Sequence, residues 1–243
     1  MFHLYGFILG FAIVAGMHAS EWFIQKQRFN IEKKMFERGS LWAIVFGLIG
    51  ARVYHLATDW SIYAGKSMLS LFAVWNGGLG IYGAIVGGIA GLSVFLYRNQ
   101  LFHAKNIRDF LNALAFGLPL GQAIGRWGNY GNGELMGKET MLPWGVSTSF
   151  DGQKFHPLFL YESIAVAMFW IVSLWCVKKN VRHITIRLFV FYIMWYGIIR
   201  FFLDFLRPNP AIVGSLTVAQ WWSILAVVSG IVIEFKLRKE YET

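Results

Sequence analysis

The 243 residues are 56% hydrophobic and 18% aromatic, only 14% are charged, and the formal net charge is +9. That balance excludes a soluble globular domain and a disordered chain, and it points to an integral membrane protein. The single cysteine excludes an intrachain disulfide. The first apolar block, 1–23, has no basic n-region and exceeds the ~7–15-residue core of a secretory signal. It is expected to be retained as the first spanning helix. Further blocks cover 41–57, 73–97, 107–126, 157–177, 188–206 and 217–235, each near the ~20 residues a bilayer requires. The expectation is an all-α membrane protein with seven transmembrane helices, forming one domain over 1–243. A small outward-facing loop or head segment at 130–156 lies between helices four and five.

Basic residues set the orientation, because cytoplasmic loops retain Lys and Arg. Lys26, Arg28, Lys33, Lys34 and Arg38 fall in the first loop, and Arg98, Lys105 and Arg108 in the third. Lys178, Lys179, Arg182 and Arg187 fall in the fifth, and Lys236, Arg238 and Lys239 in the tail. The N-terminus is therefore expected outside and the C-terminus in the cytoplasm. Anionic inner-leaflet lipid accounts for the positive charge without a nucleic-acid partner.

Seven basic residues do not follow that pattern: Arg52, Lys66, Arg126, Lys138, Lys154, Arg200 and Arg207. A charge within a spanning segment costs several kcal/mol and is normally turned toward a partner, a cavity or a function. Arg52 and Arg200 come about twelve residues after a cytoplasmic helix start, roughly 18 Å up the helix. Together with Arg126, Tyr5, Tyr82 and Glu162, they place polar groups from six helices toward the outer leaflet.

Structural readings compete with functional ones here. Arg200 and Asp204 are spaced i, i+4 and suit a self-neutralising helix pair. Arg52 has the reach to snorkel outward as an anchor. Glu162 follows Pro157 closely, where a first-turn acid is favoured by the helix dipole. The glycines of 77–91 recur at three- and four-residue spacings that permit close helix contact, and Tyr82 among them carries a hydroxyl that needs a partner. Cys176, far from the polar residues, reads as filler. The six histidines, His103 and His183 in cytoplasmic loops among them, show no metal-ligand spacing. No metal or other cofactor is expected.

The decapeptide "GRWGNYGNGE" at 125–134 is the least ordinary stretch. Its glycines would let backbone amides turn inward, its asparagines offer donors and acceptors, and Arg126 supplies a fork suited to phosphate. The set reads as equipment for holding a phosphodiester at the membrane surface. Glu134 is either an orienting partner for the arginine and amides or a general acid/base.

These residues resemble the prolipoprotein diacylglyceryl transferase family. The likeness rests on "GRWGNYGNGELMG", with "GARVYH" at 50–55, "WNGGLGIYGAIVGG" at 75–88, "HPLFLYE" at 156–162 and "YGIIRFFLDFLRP" at 196–208, in family order along nearly the whole chain. The resemblance implies transfer of the diacylglyceryl group of phosphatidylglycerol to the lipobox cysteine of a preprolipoprotein. A thioether forms and glycerol 1-phosphate leaves, at the outer face of the bacterial cytoplasmic membrane. It implies that Arg126 binds the lipid phosphate and that Arg200 neutralises charge on the departing phosphate. Asn129, Asn132 and Glu134 match the amide and acid positions of the motif, and Tyr5, Arg52, Tyr161, Glu162 and Tyr196 match recurrent polar positions.

Two positions depart from the family pattern. Tyr82 stands where many members carry a histidine, a candidate base for the thiol, and an ordinary tyrosine with pKa about 10 is a poor base near neutrality. Asp204 stands where a glutamate is usual. The segment between Asn129 and His156 also looks short. A lipid or anion transporter and a catalytically inactive lipid-binding relative are the alternatives. The lack of an internal repeat weighs against the first, and Tyr82 and Asp204 keep the second open.

Overall fold

The computed structural model describes residues 2–65, 67, 71–72, 77–147 and 152–242. Lys66, the Trp75 and Asn76 that open "WNGGLG", and 148–151 of the expected outer segment lie outside the described residues, as do the side chains of His3 and Lys239. Seven long helices run α1 (Phe2–Gln27), α2 (Lys33–Thr58), α4 (Ile81–Arg98), α5 (Ala104–Gly131), α6 (Leu158–Lys178), α8 (Leu188–Asp204) and α9 (Val218–Glu242) among the described residues. Short turns α3 (Trp60–Tyr63) and α7 (Arg182–Thr185) and two antiparallel ladders complete the order: β1 (Met136–Glu139) with β2 (Phe155–Pro157), and β3 (Ile212–Val213) with β4 (Leu216–Thr217).

Among the described residues, five helices are long and apolar enough to cross a membrane: Leu4–Gln27, Lys33–Thr58, Ile81–Arg98, Leu158–Lys178 and Val218–Arg238. The chain is a helical, multi-pass membrane protein. α5 carries Asn112, Gln122 and Arg126 along its 28 residues. α8 has only 17 residues, about 25 Å of rise against a ~30 Å hydrocarbon core.

The chain divides into two compact units, 29–110 and the pair of segments 1–28 and 111–243. In the first, α2 and α4 approach through glycine. A Cβ at Gly50 would collide with the Gly83 carbonyl, and one at Gly87 with the Phe46 carbonyl, so only hydrogen permits this spacing. The Gly80 N–H donates to the Ala51 carbonyl across the pair at 2.9 Å. The helix expected to start at 73 begins instead at Ile81, because Gly77 and Gly78 take φ of +82° and +73°, which breaks the helical path.

In the second unit α1 lies on α5 by the same device. A Cβ at Gly121 would stand 3.0 Å from the Ala12 carbonyl, and one at Gly117 would strike the Gly16 carbonyl. Phe23 stacks on Phe116 at 4.6 Å, and the Ser20 hydroxyl donates to the Ala113 carbonyl at 2.7 Å. Buried Asn112 fastens the start of α8, donating to the Ile186 carbonyl (2.7 Å) and accepting from the Phe189 N–H (2.9 Å).

Candidate active site

The signature decapeptide is helical through Gly131, five residues past the expected end at Arg126. Most of its backbone amides are therefore spent on helix rungs rather than turned inward, which corrects the reading of an amide-lined loop. The glycines serve packing: a Cβ at Gly128 would stand 2.9 Å from the Tyr5 ring, and Gly125 faces Ala12. The chain turns only afterward, at Gly133 and Leu135, with φ of +68° and +58°.

Arg126 then points from α5 to Glu162 on α6, joined through Nη2 and Oε1. The Tyr196 hydroxyl on α8 donates to the same Oε1 at 3.0 Å. Glu162 is 2% exposed and lies past the first turn of α6. The capping reading fails: this carboxylate is a buried counter-ion that holds a cation from another helix. Arg126 Nε is buried with no hydrogen-bond partner among the described residues, so part of the fork is left unpaired.

Asp204, at the end of α8 and 1% exposed, organises a second group. Its Oδ1 lies 3.6 Å from Arg200 Nη2 and 3.8 Å from Arg207 Nη1. Those are charge-pair distances beyond hydrogen-bond range, so neither arginine gives these N–H groups to the carboxylate. The expected i, i+4 pair exists, but it is shared with a third residue. The other oxygen, Oδ2, accepts from the Thr217 hydroxyl. Burial, and then the facing charge of Arg200, pull the Arg207 guanidinium below its ordinary pKa. The two groups adjoin along α8, where Tyr196 and Arg200 stand one turn apart.

Beyond the end of α5, Glu134 receives Asn129 Nδ2 at 2.9 Å and Asn132 Nδ2 at 3.3 Å. Its backbone N–H donates to the Asn129 carbonyl at 2.8 Å. Tyr5 lies against Gly128 near the end of α5. The Tyr161 hydroxyl is held apart from Glu162, accepting from Trp144 Nε1 at 2.8 Å with His156 Nδ1 at 3.2 Å. An open cavity of about 730 Å³ lies against β1 and the segment after Arg207, lined by Gly133, Gly137, Lys138, Phe155 and Asn209 among others.

Arg52 and Tyr82 belong to the unit formed by 29–110. Arg52 is 6% exposed, which replaces the snorkelling reading with an internal one. Its Nε donates to the Leu71 carbonyl (2.7 Å), and its Nη1 reaches the carbonyls of Gly77 (2.9 Å) and Gly78 (3.1 Å) and the Tyr63 hydroxyl (3.1 Å). The guanidinium ties Tyr63, Leu71, Gly77 and Gly78 to α2. Tyr82 is half-exposed and leans on Tyr54 with ring centroids 5.9 Å apart. Its hydroxyl has no hydrogen-bond partner among the described residues.

A family profile described as prolipoprotein diacylglyceryl transferase matches residues 1–235. The chain belongs to that family. Among its relatives, the phosphatidylglycerol–prolipoprotein diacylglyceryl transferase of Clostridioides difficile is 42% identical over 201 residues, covering 82% of this chain and 76% of that protein. The protein of the same name from Finegoldia magna is 33% identical over 235 residues, 97% of this chain and 88% of its own length. That from Synechocystis is 33% identical over 238 residues, covering 93% and 82%.

Eight of the residues singled out in the sequence fall into three groups, while Tyr5, Tyr161, Arg52 and Tyr82 join none of them. Arg126, Glu162 and Tyr196 meet directly; Arg200 and Asp204 adjoin them; and Asn129, Asn132 and Glu134 form a separate knot at the helix end. Sequence reasoning left out Thr217 and Gln220 as site residues and gave Arg207 no role. Arg207 stands i+3 from Asp204, a readable helix-face spacing, and T-x-x-Q before an apolar run is a helix-start signature.

Proposed function

We propose that this chain transfers the diacylglyceryl group of phosphatidylglycerol to the thiol of a prolipoprotein lipobox cysteine. The observation that carries the reading is the cluster of Arg126, Arg200 and Arg207 against Glu162 and Asp204. Three guanidiniums face two carboxylates, which leaves one net positive charge for a phosphodiester carrying one negative charge. The substrate sulfur attacks the glyceryl carbon, an S–C bond forms, and the C–O bond to phosphate breaks. Its electron pair stays on the phosphate oxygen, and glycerol 1-phosphate departs with the thiol proton taken up by phosphate or solvent. Negative charge on the phosphate grows during that step, so preorganised cations favour the transition state over the bound lipid.

Arg126, held by Glu162 and Tyr196, is the phosphate ligand in the bound lipid and in the transition state, and Arg200 and Arg207 receive the rest of the developing charge. Asn129, Asn132 and Glu134 form a polar rim at the helix end, with Tyr5 and Tyr161 positioned to order the substrates. Arg52 contributes by fixing the loop it binds. The positive field lowers the pKa of a nearby thiol, which lessens the need for a histidine where Tyr82 stands. The remaining elements of the reading are seven spans in the cytoplasmic membrane, the N-terminus outside and the site toward the outer leaflet, in accord with the basic loops. Labelling of single cysteines at the two ends by an impermeant reagent in intact cells tests this orientation.

The deciding experiment is mass spectrometry of a lipobox peptide incubated with the purified protein and phosphatidylglycerol in detergent. A diacylglyceryl mass gain on cysteine, lost in Arg126→Ala, is expected. No gain from folded wild-type protein with bound phosphatidylglycerol would overturn the reading.

A further inference from the structure

Thr217, the residue immediately before α9, has its side chain engaged twice. Its Oγ1 accepts the Gln220 backbone N–H at 3.1 Å, while Gln220 Oε1 accepts the Thr217 N–H at 3.0 Å. This reciprocal pair is a capping box that satisfies two otherwise orphaned donors. The single hydroxyl proton of Thr217 is left over, and it is given to Asp204 Oδ2. Gln220 Nε2 also reaches the Phe201 carbonyl at 3.4 Å, tying the box to α8 one turn before Asp204. Thr217, Gln220 and Asp204 are all buried.

A helix cap does not require a carboxylate, and a buried carboxylate has strong reasons to seize the nearest guanidinium. Asp204 does not do so. With Oδ2 pinned by Thr217, Oδ1 faces Arg200 and Arg207 at 3.6 and 3.8 Å without a hydrogen bond to either. We infer that Thr217, seated by the capping box, is a positioning residue that fixes Asp204 so that both guanidiniums keep N–H groups available to the departing phosphate. Released from Thr217, Asp204 would rotate onto one arginine and withdraw its donors.

What the arginine pair acts on rests on the transferase reading; the hydrogen-bond logic does not. The phosphate gains charge only as the C–O bond breaks, so the effect belongs to kcat rather than to the KM for phosphatidylglycerol. Four variants separate positioning from capping. Thr217→Ser keeps the hydroxyl. Thr217→Val removes it along with the cap, and Thr217→Gly removes it while retaining reasonable N-cap competence. Gln220→Leu breaks the box but leaves the Thr217 hydroxyl beside Asp204.

With purified proteins, phosphatidylglycerol micelles and a lipobox peptide, Thr217→Ser should keep kcat within about twofold. Thr217→Val and Thr217→Gly should each lose about tenfold or more in kcat, the usual scale for a hydrogen bond to a charged group, with KM for the lipid nearly unchanged. Gln220→Leu should lower the melting temperature yet retain more than half of kcat. Wild-type kcat in Thr217→Gly, or a loss in Gln220→Leu equal to that in Thr217→Val, would overturn the inference. The wild-type arm of the assay tests the transferase reading, and the ratios among variants test the role of Thr217.

Discussion

Glu162→Gln is nearly isosteric, so it removes a charge without emptying space. Arg126 Nη2 and the Tyr196 hydroxyl both end on the lost carboxylate oxygen. Hydrogen bonds to ionised groups contribute ~1.5–3 kcal/mol, against ~0.5–1.5 kcal/mol for neutral ones. Weakening both therefore loses about 2–3 kcal/mol by the same scale, and water cannot make up the difference at a side chain 2% exposed. If that loss falls on the placement of Arg126 in the transition state, kcat drops ~30- to 140-fold at about 1.4 kcal/mol per decade. KM should not rise, because the cluster gains a net positive charge and attracts the anionic lipid more strongly. Initial rates of peptide diacylglycerylation with phosphatidylglycerol varied in micelles separate the two constants, and a thermal melt certifies folding. Unchanged kcat would refute the role given to the buried ion pair, and a raised KM at constant kcat would confine Arg126 to ground-state binding.

Gly83→Leu should destabilise the pairing of α2 with α4, since a Cβ there would collide with the Gly50 carbonyl and Tyr54. Overpacking of this kind costs ~1–3 kcal/mol, read as a lower melting temperature in detergent. Tyr82→Phe should leave turnover within about twofold, whereas removing a general base costs ~10²–10⁴-fold; kinetics across pH distinguish the two. Arg52→Lys should loosen the segment joining α2 to α4, because an ammonium cannot reproduce a planar fork that serves the Leu71, Gly77 and Gly78 carbonyls at once. Limited proteolysis should then cut within 60–80 faster than in wild type.

The helices were legible because apolar blocks of bilayer length have few other uses, and their polar ends were not. α2 begins at Lys33, eight residues before its apolar block. α5 continues to Gly131, and its glycines at 117, 121, 125 and 128 face α1 by the close-packing rule that holds at Gly83, Gly87 and Gly91 but not at Gly77 and Gly78, which lie before the helix. Polar neighbours made the α5 glycines look like a loop, yet their three- and four-residue spacing already described a helix face. Local pairs could be read from the chain, as Arg200 with Asp204 shows.

Partners far apart in sequence could not be read in the same way. Arg126 and Glu162 are 36 positions apart and on different helices, and no periodicity links them. Read alone, Glu162 five residues after Pro157 suits a helix start. Only its burial shows that a carboxylate there needs a cation, and the cation available is the arginine of the signature. The Thr217–Gln220 pattern makes the complementary point: its capping function is visible in four residues, while its hold on Asp204 depends on α8 and α9 packing side by side. Local rules identify what each group is able to do, and the helix packing decides which of those capacities is used.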